Sequence, residues 1–230
     1  MKKEKTKDQS EKNIVAVEEA LSKSEQFIER NQNLLIGVVA AIVLIIAGYI
    51  GYTRFILEPK EQEARAEIFM AEQYFEQDSL RLALEGDGAN LGFLDIISDY
   101  GMTKTANLAR YYAGVSYLNL GEYEEAIEHL QKFRKKDQLV GAMAYGALGD
   151  AYLNMDDYSE AAKQYRRAAN HEPNPLTSPA FLMKLGRVLE LEGDHEGALE
   201  AYQTIKNDFP DTNEGRNIEK YIARVKMAQN

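Results

Sequence analysis

"YGALGDAYLNMDDYSEAAKQYRRAANHEP", Tyr145 to Pro173, admits two readings. Asp156-Asp157, a glutamate, a histidine and several Lys and Arg are groups that do chemistry. The small residues between them are groups that let helices approach. The neighbours decide. Aligned on the Gly of "AG" or "LG", "YYAGVSYLNLGEYEEAIEHLQKF" before it and "LMKLGRVLELEGDHEGALEAYQTI" after it fall into step, anchored on Gly114, Gly149 and Gly186. Three residues on stand Tyr117, Tyr152 and Leu189. Then come a turn (Gly121-Glu122-Tyr123, Asp156-Asp157-Tyr158, Gly193-Asp194-His195), an alanine (Ala126, Ala161, Ala198), a large residue (Leu130, Tyr165, Tyr202) and Phe133, Ala168 and Ile205. Pro173 and Pro210 close the last two copies.

Each column has a physical cause. Anchor glycines and alanines allow two antiparallel helices to pack closely, and the large residues fill the space so made. Gly or Asp tolerates the tight turn that ends one helix and starts the next. A proline stops the pair. A hairpin of this kind cannot bury its face alone and stacks on the next. Asp156-Asp157 is therefore a turn, and the tyrosines are packing columns.

These residues resemble the tetratricopeptide repeat. The second copy carries the pattern in Tyr145, Leu148-Gly149, Tyr152, Tyr158, Ala161, Tyr165, Ala168 and Pro173. The first departs, with Arg110 at the first aromatic and Gln138 at the proline; the third has His195 where an aromatic is expected. The resemblance covers residues 107–212. Upstream, "ARAEIFMAEQYFEQDSLRLALEG" is a helical run and "LGFLDIISDYG" a shorter one. They read as a divergent first hairpin interrupted by "EGDGAN", over 54–106 with its linker. Downstream, Asp211 or Thr212 can cap a final helix, "EGRNIEKYIARVKMAQ", a capping helix at 213–230 whose polar outer face ends the array in water.

Outside the repeats one segment stands apart. No residue between Arg30 and Arg54 is charged, and Leu34 to Tyr52, "LLIGVVAAIVLIIAGYIGY", is long enough to cross a hydrocarbon layer of ~30 Å. The residues before it are too many and too mixed in charge for a signal-peptide leader, and no small-x-small cleavage site follows. The expectation is one retained transmembrane helix at 34–53, N-terminal to an all-α helical-hairpin solenoid. Gly37, Ala40, Ala41, Ala47, Gly48 and Gly51 share one face, and small residues let membrane helices touch. That face reads either as an interface with a membrane complex or as the ordinary Gly and Ala content of such helices. Before the span, residues 1–33 form a polar tail with a short amphipathic helix, its stripe Ile14, Val17, Leu21 and Ile28. Membrane surface and protein are equal candidates for its contact.

Charge excludes some partners. Residues 1–33 carry seven basic and seven acidic residues; 34–230 carry 20 basic and 30 acidic, giving the chain its net −10. An acidic main domain repels phosphate backbones, so nucleic acid is not expected as a partner. The chain has no cysteine, hence no disulfide or thiol nucleophile. His129, His171 and His195 form no catalytic or zinc motif, and "EGDGANLG" lacks the spacing of a calcium loop. No catalytic residue, cofactor or metal is expected.

The resemblance implies a groove lined by the first helix of each hairpin. By its pattern, the binding positions are Leu108, Tyr111, Val115 and Leu118, then Met143, Asp150, Leu153 and Asn154, then Met183, Arg187 and Glu190, with Asn119 aligned to Asn154 to bond a peptide backbone. The basic pattern by which some such repeats hold a C-terminal carboxylate is missing at Tyr111 and Val115. Tail, single span and repeat array together resemble the YfgM-like ancillary subunits of the bacterial SecYEG translocon. That likeness implies a scaffold anchored in the inner membrane, N-terminus cytoplasmic and repeats periplasmic, linking translocon and periplasmic chaperones. A scaffold of another envelope complex, or a module sequestering a signalling protein, stays open, as does homo-oligomerisation. The positive-inside rule supports this orientation through the seven Lys and Arg of the tail, although the balance close to the span is even.

Overall fold

The computed structural model describes residues 29–228. The amphipathic stripe expected before Glu29 lies outside them. The chain divides into two compact units, Met1–Glu58 and Pro59–Asn230.

The described residues of the first unit, 29–58, are helical. Helix α1 covers residues 29–52 and is followed by a π-helical turn, Thr53–Leu57. Within Glu29–Glu76 lies the one helix among the described residues that is long and apolar enough to cross a membrane. Its apolar side chains are exposed, Leu34 by 67% and Ile45 by 71%.

The second unit is a run of helices: α2 (Glu58–Glu76), α3 (Leu80–Glu85), α4 (Phe93–Asp99), α5 (Lys104–Leu120), α6 (Tyr123–Lys132), α7 (Gln138–Asn154), α8 (Tyr158–Asn170), α9 (Ser178–Glu192), α10 (His195–Asp208), α11 (Asn213–Asn217) and α12 (Glu219–Ala228). Three pairs, α5–α6, α7–α8 and α9–α10, are the hairpins of the three copies. Each turn works through one left-handed residue in the same column: Gly121 (φ 80°), Asp156 (φ 59°) and Gly193 (φ 85°). Glycine takes that conformation without strain and Asp tolerates it. The next residue caps the second helix where it is Asp, Asp157 accepting from the Glu160 N–H and Asp194 from the Gly197 N–H; Glu122, in the first copy, makes no such bond.

The anchors pack as the columns require. A Cβ at Gly149 would stand 2.6 Å from the Tyr165 ring, and one at Gly186 would stand 2.3 Å from Tyr202. Both rings are fully buried. Among the described residues three apolar clusters follow one another. The front one joins Ile68, Phe93, Ile96 and Ala109; the middle one joins Leu130, Phe133, Ala144 and Leu148; the last runs from Ala161 through Tyr202 to Val225.

The front departs from the expected hairpin. The run from Ala64 to Gly86 is two helices, because Asp78 turns left-handed (φ 58°) between α2 and α3. Glu61 of α2 accepts from the Lys104 and Thr105 N–H groups (2.6 and 3.3 Å) and so caps α5 from another helix. The Arg110 guanidinium, in place of the family's aromatic, donates to the Gly101 carbonyl (3.3 Å) and ties α5 to the loop before it. The tail of the domain also differs from one capping helix. Thr212 caps α11, accepting from the Gly215 N–H, and the chain re-enters a helix as α12.

Candidate functional site

The first helices α5, α7 and α9 carry equivalent positions one and four residues past the anchor glycine. The first column reads Val115, Asp150, Arg187; the second reads Leu118, Leu153, Glu190. Helix α12 extends both columns. Tyr221 and Arg224 stand 34 residues after Arg187 and Glu190 and touch them: Arg187 donates to the Tyr221 hydroxyl (3.2 Å), and Arg224 donates to both Glu190 oxygens (2.6 and 3.0 Å). Thus α12 stands in the place of the first helix of a fourth copy. The sequence alone does not show this, because Lys220 stands at the place of the anchor glycine.

The same spacing recurs one copy earlier. Lys184 donates to both Asp150 oxygens (2.6 and 2.8 Å), and the Tyr165 hydroxyl donates to Asp150 (2.6 Å). In the third copy, the Tyr202 hydroxyl donates to Glu190 (2.6 Å). Each buried tyrosine that fills an anchor gap thus ends on a carboxylate of the first-helix face, which Lys184 or Arg224 supplies with a cation. Burial and the accepting carboxylate push both phenols up, Tyr165 and Tyr202 alike. Burial alone would raise the Glu190 carboxyl; hydrogen bonds from Arg224 and Tyr202 outweigh it and hold the group below the usual carboxylate range.

These contacts sort the expected binding positions. Met183 is only 8% exposed and belongs to the last core cluster, so it is not a groove residue: α9 lies between α8 and α10, which cover that side of it. Tyr111 and Val115 pack against the middle cluster, Tyr111 with its ring 5.7 Å from Phe133, and Leu153 packs against the last one. Leu108 and Leu118 are half-buried. Asp150 and Glu190 are half-buried and occupied by the bonds just given. Asn119 and Asn154 are exposed, but the Asn154 amide donates to the Asp150 carbonyl of its own helix (2.8 Å) rather than standing ready for a peptide. Met143, 48% exposed, and Arg187 remain open.

What the structure adds lies at the end of the face. Arg187, Glu190, Leu191, Tyr221 and Arg224 line an open pocket of about 380 Å³. Leu191 shares the column of Asn119 and Asn154 and is 63% exposed. Its column is the signal that could have found it. In α1 the six small residues Gly37, Ala40, Ala41, Ala47, Gly48 and Gly51 lie on a helix whose glycines have open surroundings: a Cβ at Gly37, Gly48 or Gly51 would meet nothing within 4 Å.

Tetratricopeptide repeat models match residues 147–211 and 108–137. Curated relatives include the human "Superkiller complex protein 3", 26% identical over 133 residues that make up 56% of this chain and 8% of that protein. The "General transcriptional corepressor trfA" of Dictyostelium discoideum is 32% identical over 84 residues, 36% of this chain and 6% of that protein. The chain thus spans less than a tenth of the length of these relatives. Among solved structures, a Podosopora anserina putative kinesin light chain with TPR-like repeats matches with TM-score 0.55 at 15% identity, covering 73% of this chain and 87% of that one. The MamA protein matches with TM-score 0.53 at 20% identity, covering 71% and 88%. The fold is an all-α tetratricopeptide-type solenoid, and the chain carries these repeats in its second unit.

Proposed function

We propose that the chain is a non-enzymatic, membrane-anchored scaffold that holds a protein partner on the first-helix face of its repeats. Tetratricopeptide repeats are protein-interaction modules, and one observation carries the reading here. The face keeps its alignment through four helices and ends in a pocket where an exposed leucine, a tyrosine and two arginines meet, lined by no more than one carboxylate, Glu190. Apolar, aromatic and Arg side chains together are what protein interfaces concentrate.

The anchor is the α1 segment, spanning the bacterial inner membrane once with the N-terminus in the cytoplasm and the repeats in the periplasm. Its small-residue face docks a membrane complex. The proposed setting is the translocon and the periplasmic chaperones that handle exported proteins. Architecture supports this setting: an apolar helix of bilayer length ahead of a repeat domain, with seven basic residues in the preceding tail.

Two measurements test it. A reporter that is active only outside the cytoplasm, fused after Asn230, is expected to be active; a cytoplasmic signal overturns the orientation. A photo-reactive residue at Gly48, with adducts identified by mass spectrometry in cells, is expected to recover translocon subunits. Recovery of a different membrane complex overturns the setting and leaves the scaffold reading standing.

A further inference from the structure

The first-helix face changes character along its length. Its early positions, Leu108, Val115 and Leu118, are apolar; its last two steps are charged. Three cations gather on one ring there: Arg187 at 5.6 Å, Lys220 at 5.1 Å and Arg224 at 5.0 Å from the Tyr221 centroid. The face of an aromatic ring attracts a cation, and the attraction of one ring is shared among three. Glu190 is the carboxylate among them, and it is held by Arg224 and by the Tyr202 hydroxyl. Among the described residues Arg187 and Lys220 form no ion pair with a carboxylate; the nearby pairs are Lys184–Asp150, Lys206–Glu219 and Arg224–Glu190. In a chain of net charge −10, the end of the face is therefore locally positive.

The cluster is also held in place. Tyr221 packs its ring 5.6 Å from Tyr202, a fully buried core residue, and receives the Arg187 hydrogen bond on its hydroxyl. Arg224 is fixed by a two-point bond to Glu190. Side chains ordered before binding lose less freedom when a partner arrives. Leu191, 63% exposed, stands beside them as an apolar contact.

We infer that this pocket takes an acidic peptide segment of a partner protein, an apolar side chain covering Leu191 while neighbouring carboxylates pair with Arg187 and Lys220. The inference rests on the first-helix face being the protein-binding face and adds the place and the charge of the bound segment. The charge follows from complementarity: two cations without carboxylate partners attract Asp and Glu and repel a basic segment. A peptide rather than a small anion follows from the apolar and aromatic lining, Leu191 and Tyr221, that stands beside the cations. The segment is internal or terminal alike, because its carboxylates are side chains.

The full chain in nanodiscs of zwitterionic lipid is presented with a display library of random dodecapeptides. Selected peptides are expected to carry net negative charge with Leu, Ile or Phe among the acidic residues. The best of them, synthesised with a fluorophore, is expected to bind on the order of ten-fold more weakly to the Arg187→Gln/Lys220→Gln chain, and several-fold more weakly at raised salt. Lys163→Gln, on the second helix α8, is expected to leave binding unchanged. Both replaced side chains are exposed, so a melting curve equal to the parent's shows that the double variant is folded. Neutral or basic selected peptides, no selection at all, or an acidic peptide indifferent to the double variant would each overturn the inference. If such an outcome comes with discrete protein adducts at Asn119 or Asn154 in cells, the face still binds protein and only its charge preference is wrong; if adducts are absent too, both readings fall.

Discussion

The glycines of α1 and those of the repeats are the same residue in the same helical conformation, yet they do opposite things. Gly149 and Gly186 are filled by Tyr165 and Tyr202, whose ring carbons would touch an added Cβ at 2.6 and 2.3 Å. Gly37, Gly48 and Gly51 face nothing within 4 Å. The repeats use small residues to satisfy themselves, whereas α1 keeps its small residues open. The difference teaches that a small-residue pattern has meaning only with its counterpart. In the repeats the counterpart lies sixteen residues on in the same chain. In α1 no described residue supplies it.

The largest test of that contrast is a pair of substitutions. Gly186→Val drives a branched side chain into the buried Tyr202 ring and is expected to cost about 3 kcal/mol or more. In a domain of this size that lowers the melting temperature by roughly 6–12 °C. Gly48→Val is expected to leave the melting of the repeats unchanged, read by circular dichroism of the full chain in nanodiscs, while reducing crosslinking at the neighbouring small positions. Equal effects at the two sites would break the comparison.

A smaller effect sharpens it. Tyr165→Phe keeps the filled gap but removes the hydroxyl that donates to Asp150. The expected loss is about 1–2 kcal/mol, because the acceptor is charged and keeps Lys184. A loss comparable to that of Gly186→Val would mean that the hydrogen bond, not the ring, holds the hairpin.

The same tyrosines set an alkaline limit. Burial and the accepting carboxylates raise both phenols above the ordinary value of 10. An unfolded tyrosine releases its proton near that pH while the folded one keeps it. The unfolded state then binds fewer protons, so this contribution is complete below pH 10 and is lost as pH rises above it. Urea midpoints are expected to fall between pH 10 and 11.5, with a shallower fall in Tyr165→Phe/Tyr202→Phe. The smallest effect belongs to the front of the domain. Glu61→Gln weakens the cap on α5 and is expected to cost about 1 kcal/mol by chemical denaturation, leaving the pairs α7–α8 and α9–α10 untouched.

The repeat columns were legible because each depends on residues a fixed distance away in the chain. Gly149 finds Tyr165, and Asp156 makes its turn, within one copy. What was illegible depends on neighbouring copies. Gly146 is small because Phe181 of the next hairpin lies against it, a Cβ there meeting that ring at 2.1 Å. Met183 has the register of a groove residue but is buried by the helices packed on α9. Helix α12 reads as a polar end and serves as a fourth first helix, its role fixed by Tyr221 and Arg224 meeting Arg187 and Glu190. Asn154 has the right column and exposure, and its amide turns back to its own backbone. The site was therefore legible as a face, and its chemistry became so once the copies were stacked.

The measurement closest to the central claim compares the two sides of the repeats. Photo-reactive residues are placed in cells at Asn119, Asn154 and Leu191 on the first helices and at Lys163 and Gln203 on the second, all exposed. A scaffold that holds its partner on the first-helix face gives discrete protein adducts at the first three positions and not at the last two. Equal adducts on both sides, or adducts confined to Lys163 and Gln203, would contradict it.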